Sequence, residues 1–211
     1  MELSVGAEAI RPSIRQIASL RCTPIAMTIN DKLMFKNPFQ VAVVFAVISL
    51  IVKVSIFLLG VQHGAAEAYI RYFLMLVLLV TVFFGIRSNK VMYEGATTFR
   101  QDFKTGARTA SFYAILMAII TYVYYAKIDA DFFAIKQQPL LDELYNSAKN
   151  KMATESRETI QTNLSNQIFG IQTYLSPYFQ AMWTLFGLVF MGLFHSAVFA
   201  FLMKKYPGFK K

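Results

Sequence analysis

Residues 41–60 read VAVVFAVISLIVKVSIFLLG, an apolar run interrupted by one charge, Lys53. A helix rises 1.5 Å per residue, so about 20 apolar residues cross a hydrocarbon layer of roughly 30 Å. This stretch therefore has the length and composition of a membrane span. Three more runs of the same kind follow. Tyr72 to Ile86 reads YFLMLVLLVTVFFGI and extends back to Tyr69 across Arg71. Ala110 to Ala126 reads ASFYAILMAIITYVYYA, and Phe179 to Met203 reads FQAMWTLFGLVFMGLFHSAVFAFLM. The second and third are short, so their ends are expected in the headgroup region. The chain is predicted to be an all-α integral membrane protein with spans near 41–60, 69–86, 108–126 and 179–203. Residues 34–205 would form the membrane domain, preceded by a basic segment 1–33 and followed by a basic tail 206–211.

The composition of the whole chain agrees. Of 211 residues, 56% are apolar and 16% charged, where soluble domains carry about 25% charge. Four buried core helices in a soluble protein would need a polar jacket that this chain does not supply. Disordered, collagen-like and disulfide-stapled classes are excluded on the same grounds. The one cysteine, Cys22, cannot form an intrachain bridge, and no Cys/His spacing suggests zinc.

The net charge of +9 acts as a threading signal. Arg11, Arg15, Arg21, Lys32 and Lys36 precede the first span. The first connection, 61–68, has no basic residue. Arg87, Lys90, Arg100, Lys104 and Arg108 crowd the second connection. The third, 127–178, dilutes its basic residues among six acids, and Lys204, Lys205, Lys210 and Lys211 close the chain. Dense, sparse, dense, dilute, dense is the pattern expected when both termini are cytoplasmic. The basic residues flank membranes in separate clusters and form no single stripe, so a nucleic-acid partner is not expected. Three aromatic clusters then fall at the outer interface: Tyr69 and Tyr72; Tyr122, Tyr124 and Tyr125; Tyr174, Tyr178 and Trp183.

Outside the hydrocarbon, the amino-terminal segment is read as a disordered basic tail. The competing readings are a short interfacial helix along Ile10, Ile14 and Ile17, and a natural start at Met34. In the second connection, Gly95 marks a turn and Thr98 with Gln101 matches a capping box. Phe99 and Phe103 share a helical face four residues apart. An amphipathic turn on the inner membrane surface is expected there, bending at Gly106 into the third span. In the third connection, Pro139 is expected to start one amphipathic helix. A second follows along Ile160, Leu164, Ile168, Ile171 and Leu175, weakened by Gly170, before Pro177 opens the fourth span.

Ionisable groups inside a membrane are the natural functional candidates. Lys53 shares a face with Ala42, Ala46, Ser49 and Gly60, so it points into the bundle or toward its outer mouth. Snorkelling or structural pairing is the plainer reading and a functional cation the sharper one. Glu67, Asp129 and Asp131 are the nearest acids. His195 adjoins the small stripe Gly192, Ser196 and Ala200. A neutral histidine bonded across the helix interface is expected over a proton-responsive one. Asp129-Ala-Asp131 is read as an interfacial turn, with a divalent cation as the alternative. Ala110, Ala114, Ala118 and Thr121 give the third span a small face, while the second is bulky. The first, third and fourth helices are therefore expected in closest contact.

No phosphate loop, HExxH, nucleophile elbow or paired membrane carboxylates occur, so neither catalysis nor a cofactor is expected. The order of features resembles an uncharacterised bacterial inner-membrane family, domain of unknown function four-one-nine-nine. The residues carrying the resemblance are Glu94-Gly95, Phe99, Phe103 and Gly106 in the second connection, and Ile128-Asp129-Ala130-Asp131-Phe132 after the third span. It covers about 34–205, with Ala130 where the family usually has proline. The resemblance implies four spans and a bacterial inner membrane, and no activity. Two functions compete: an accessory or scaffold subunit that meets other membrane proteins or its own copies in the bilayer, and a small oligomeric transporter or channel using Lys53 and His195.

Overall fold

The computed structural model describes residues 37–62, 66–93, 95–152 and 156–205. The amino-terminal segment, with Cys22 and Met34, and the tail 206–211 lie outside them, as do the side chains of Glu67 and Arg71. The described residues form α1 (Pro38–Leu58), α2 (Ala66–Met92), α3 (Phe99–Val123), α4 (Phe132–Lys151), α5 (Arg157–Tyr174) and α6 (Pro177–Lys205). α3 runs on into a π-helical turn, Tyr124–Ile128. Among the described residues, four helices are long and apolar enough to cross a membrane: Pro38–Leu58, Tyr72–Met92, Phe99–Ile128 and Pro177–Lys205. Their outward faces carry bare apolar side chains, such as Ile51, Leu76, Ile119 and Phe190, the last 74% exposed. Water would penalise that surface, whereas lipid solvates it.

Local sequence sets the helix ends. Asn37 caps α1 by accepting the Phe39 amide at 3.0 Å, with Pro38 at the first helical position, where no amide is needed. Gly60, at φ 67°, ends it in a Schellman motif. Its amide bonds Phe57 O at 3.0 Å and that of Val61 bonds Ile56 O at 3.4 Å. Gly95, at φ 81°, closes α2 with a bond to Lys90 O. Thr98 and Gln101 form the expected capping box at the start of α3. Ser156 and Ser176 cap α5 and α6.

Several expectations are corrected. The residues 99–107 are not a separate surface turn. They are the first turns of α3, with Phe99 and Phe103 stacked on it. Gly106 is therefore no bend. It lies mid-helix against α6, where an added Cβ would sit 2.8 Å from Ser196 Oγ. α4 begins at Phe132, and Pro139 lies inside it. The aromatic start, Phe132 and Phe133, is buried and anchors the helix before the proline removes one amide bond. α5 runs through Gly170 unbroken. α4 and α5 make the helical hairpin expected between the third and fourth spans, and Gln137 Nε2 donates to Leu175 O at 2.7 Å across its base.

The packing order also differs. α3 and α6 are in closest contact, and α1 packs on α2 and α3 rather than on α6. The bulky second span supplies the centre: Leu78, Val82 and Ile86 are completely buried. Small residues let backbones approach. A Cβ on Gly192 would overlap that of Ala110, and one on Gly85 would overlap Thr109.

Candidate functional site

Lys53 lies on the buried face of α1 with Ala42, Ala46 and Ser49, five residues before the helix ends. Its side chain is 7% exposed. Desolvating an ammonium costs several kcal/mol unless other groups compensate. Here the compensation is aromatic and acidic. Lys53 Nζ lies 4.4 Å from the ring centroid of Tyr124 and 4.3 Å from that of Tyr125. Such contacts reach about 2 kcal/mol when desolvated. Asp129, 5% exposed, acts on Lys53 electrostatically, and the Tyr124 hydroxyl donates a hydrogen bond to its carboxylate.

The π-helical turn makes this arrangement possible. The Asp129 amide bonds Tyr124 O at 2.9 Å, an i→i+5 bond, so the carboxylate is carried back over the tyrosine it follows. Single π-turns in long helices mark sites where side chains must be re-aimed. The tyrosines are fixed from behind. Tyr125 packs at 4.9 Å on both Phe132 and Phe133, and Tyr124 meets Phe57 edge-on at 6.2 Å. Two members of the second aromatic cluster, the one that closes the third span, thus turn inward. Tyr122, by contrast, stays exposed, as do Tyr69, Tyr72, Tyr174, Tyr178 and Trp183.

This cluster forms one wall of a cavity of about 340 Å³ at the hairpin end of the bundle. α2 contributes Ile70, Leu74 and Met75, and α6 contributes Gln180, Thr184, Leu188 and Met191. Gln62, in the turn after α1, also lines it, with its buried Oε1 lacking a hydrogen-bond partner among the described residues. A mostly apolar cavity with a few convergent polar groups is the usual composition of a small-molecule site.

The other candidates fall elsewhere. Asp131 is exposed and starts α4, so it diverges from the buried Asp129 and the two do not face a common ligand position. His195 does not line the cavity. It lies beside Phe194, and its buried Nδ1 finds no hydrogen-bond partner among the described residues. The expected cross-helix bond is therefore not made through that nitrogen. Gly95, Thr98, Phe99, Phe103 and Gly106 all serve the α2–α3 junction described above.

That junction contains a second buried charge, outside every motif named above. Lys90 Nζ contacts Asp102 Oδ2 at 2.7 Å, with both side chains almost wholly buried, and donates to Thr97 Oγ1 at 2.8 Å. The signal was present in the spacing. The small stripe Ala118, Ala114, Ala110 continues backwards in fours to Gly106 and then Asp102, an acid on an otherwise inward face. Between the two charged sites, Tyr113 OH and Ser49 Oγ are 2.9 Å apart and buried. Ser49 spends its one proton on Phe45 O, so the tyrosine is the donor.

No curated protein and no solved structure matches the chain at a significant level. The sequence profile of a family described as "Protein of unknown function (DUF4199)" matches residues 40–205, from the third residue of α1 to the last of α6. The match takes in every span, the Lys53 cluster and the Lys90–Asp102 pair, and the chain belongs to that family.

Proposed function

We propose that this is a non-enzymatic protein of a bacterial inner membrane that works by association, as an accessory or scaffold subunit, with both termini in the cytoplasm. The observation that carries the reading is the α4–α5 hairpin. It buries little beyond Phe132, Phe133 and Ile160 and leaves Phe169 71% exposed, with Ile135, Leu140, Tyr145 and Met152 also bare. A hairpin that packs so little of itself has surface to offer a second copy or another membrane protein. A photo-crosslinking residue at Phe169 should give discrete higher-mass species in cells, while one at the lipid-facing Ile119 should not. Equal yields from both sites, or none from either, would remove the association reading.

The threading rests on the alternation of basic residues. In a Cys22→Ser background, a cysteine at Asn146 in the hairpin should react with a membrane-impermeant maleimide in intact cells. Cys22 in the unaltered chain should react only after lysis. The reverse pattern would invert the topology.

A small transporter or channel is the second reading, favoured by one observation: Lys53 faces a cavity. Against it, Leu78, Tyr113 and Met117 are wholly buried in the core, and His195 lies off the cavity. Flux in proteoliposomes that is abolished by Lys53→Met would reverse the order of the two readings.

A further inference from the structure

We infer that the cavity beside Lys53 holds a single hydrocarbon chain bearing an uncharged, hydrogen-bonding head. The shape gives the chain. Along α6 the lining runs from Gln180 to Met191, a rise of about 16 Å. Over that length, about 340 Å³ leaves a cross-section near 20 Å², the width of one extended hydrocarbon chain. The inner part of this slot is Leu74, Leu188 and Met191, and the outer part carries Gln62, Gln180 and Asp129. One end is therefore greasy and the other polar, in the same sense as the leaflet around it.

The head follows from charge and hydrogen bonding. Lys53 and Asp129 offset one another, so the slot has no net charge from this pair. A charged head would bring an uncompensated ion into a low-dielectric wall. A hydroxyl, ester or quinone-like carbonyl brings none. It can accept from the Lys53 ammonium, and a hydroxyl can also donate to the Gln62 oxygen left without a partner. Two membrane sources share this chemistry: the ester-linked chain of a diacylglycerol and an isoprenoid alcohol or quinone.

The test uses the full chain in mild detergent with four diazirine-bearing probes of equal chain length: a fatty alcohol, a fatty acid, an alkylammonium and a plain alkane. The alcohol should label 183–191 and 70–75 saturably, ahead of both charged probes. Gly187 lines the slot, and a Cβ there meets nothing within 4 Å. Gly187→Leu should therefore keep the melting temperature while weakening alcohol binding about tenfold, the loss of roughly two buried methylenes. Lys53→Met with Asp129→Asn removes both charges together and should weaken the alcohol's advantage while leaving labelling by a plain alkane chain. Native mass spectrometry of the protein extracted from membranes then separates the sources, through the mass of the retained molecule. Preference for either charged probe would overturn the neutral head. Labelling that does not saturate, or that is equally strong on the outward face at Ile115 and Ile119, would overturn the site itself.

Discussion

Among the described residues two lysines are buried in this bundle, one toward each end, and they are neutralised in different ways. Lys90 makes a direct ion pair with Asp102, held further by Thr97. It sits at the end where Gly85, Gly106 and Gly192 bring backbones into close approach. Lys53 lies against two adjacent tyrosine rings with Asp129 nearby, at the end where α2 and α6 leave a cavity. The first arrangement clamps the junction of α2 and α3, and the second preserves space. A buried charge thus has no single meaning. Beside small residues it is part of a closed joint, and beside aromatic walls it is part of an open chamber.

The largest effect that would break this contrast is at the closed end. Asp102→Ala leaves the Lys90 ammonium buried without its counter-ion, which should cost about 3–5 kcal/mol. Denaturation by SDS in mixed micelles measures it. Replacing both partners, Lys90→Met with Asp102→Leu, should recover most of that loss, because no uncompensated charge remains. If Asp102→Ala unfolds at the wild-type midpoint, the pair does not clamp the junction.

The next comparison stays on one helix. Gly192 meets Ala110, whereas Gly187 meets nothing within 4 Å. Gly192→Val overfills a closed contact and should cost about 1–3 kcal/mol. Gly187→Ala, less than two turns away, should be neutral or gain up to about 0.5–1 kcal/mol from reduced backbone freedom. The same sign for both changes would mean that α6 is packed evenly along its length.

The difference between the ends also explains what was legible in the sequence. The spans and the cap at Thr98 follow from length, hydropathy and spacing, which are properties of one segment at a time. The small faces at Ala110 and Gly192 follow in the same way. The return of Asp129 over Tyr124 does not, because it depends on a π-turn that shifts the register of a helix by one residue. The central place of α2 was hidden as well. Leu78, Val82 and Ile86 have the same composition as lipid-facing residues, and only their neighbours distinguish them. Lys53 stands out as a lone charge in a span, whereas Asp102 falls among basic residues in the stretch whose pattern predicts an amphipathic turn on the membrane surface.

The smallest effect lies between the two ends, where Tyr113 on α3 donates to Ser49 on α1, one turn from Lys53. The direction of that bond predicts an inequality. Tyr113→Phe removes the donor, while Ser49 keeps its own bond to Phe45 O, so the loss should be about 0.6 kcal/mol, the average for a hydrogen bond inside a membrane bundle. Ser49→Ala instead strands a buried phenolic proton, completely shielded on Tyr113, and should cost more, about 1 kcal/mol. A double-mutant cycle read by SDS denaturation resolves the coupling. If Tyr113→Phe proves the costlier change, the serine is the donor and its bond within α1 is broken. The layer dividing the closed end from the chamber would then be set by α1 rather than by α3.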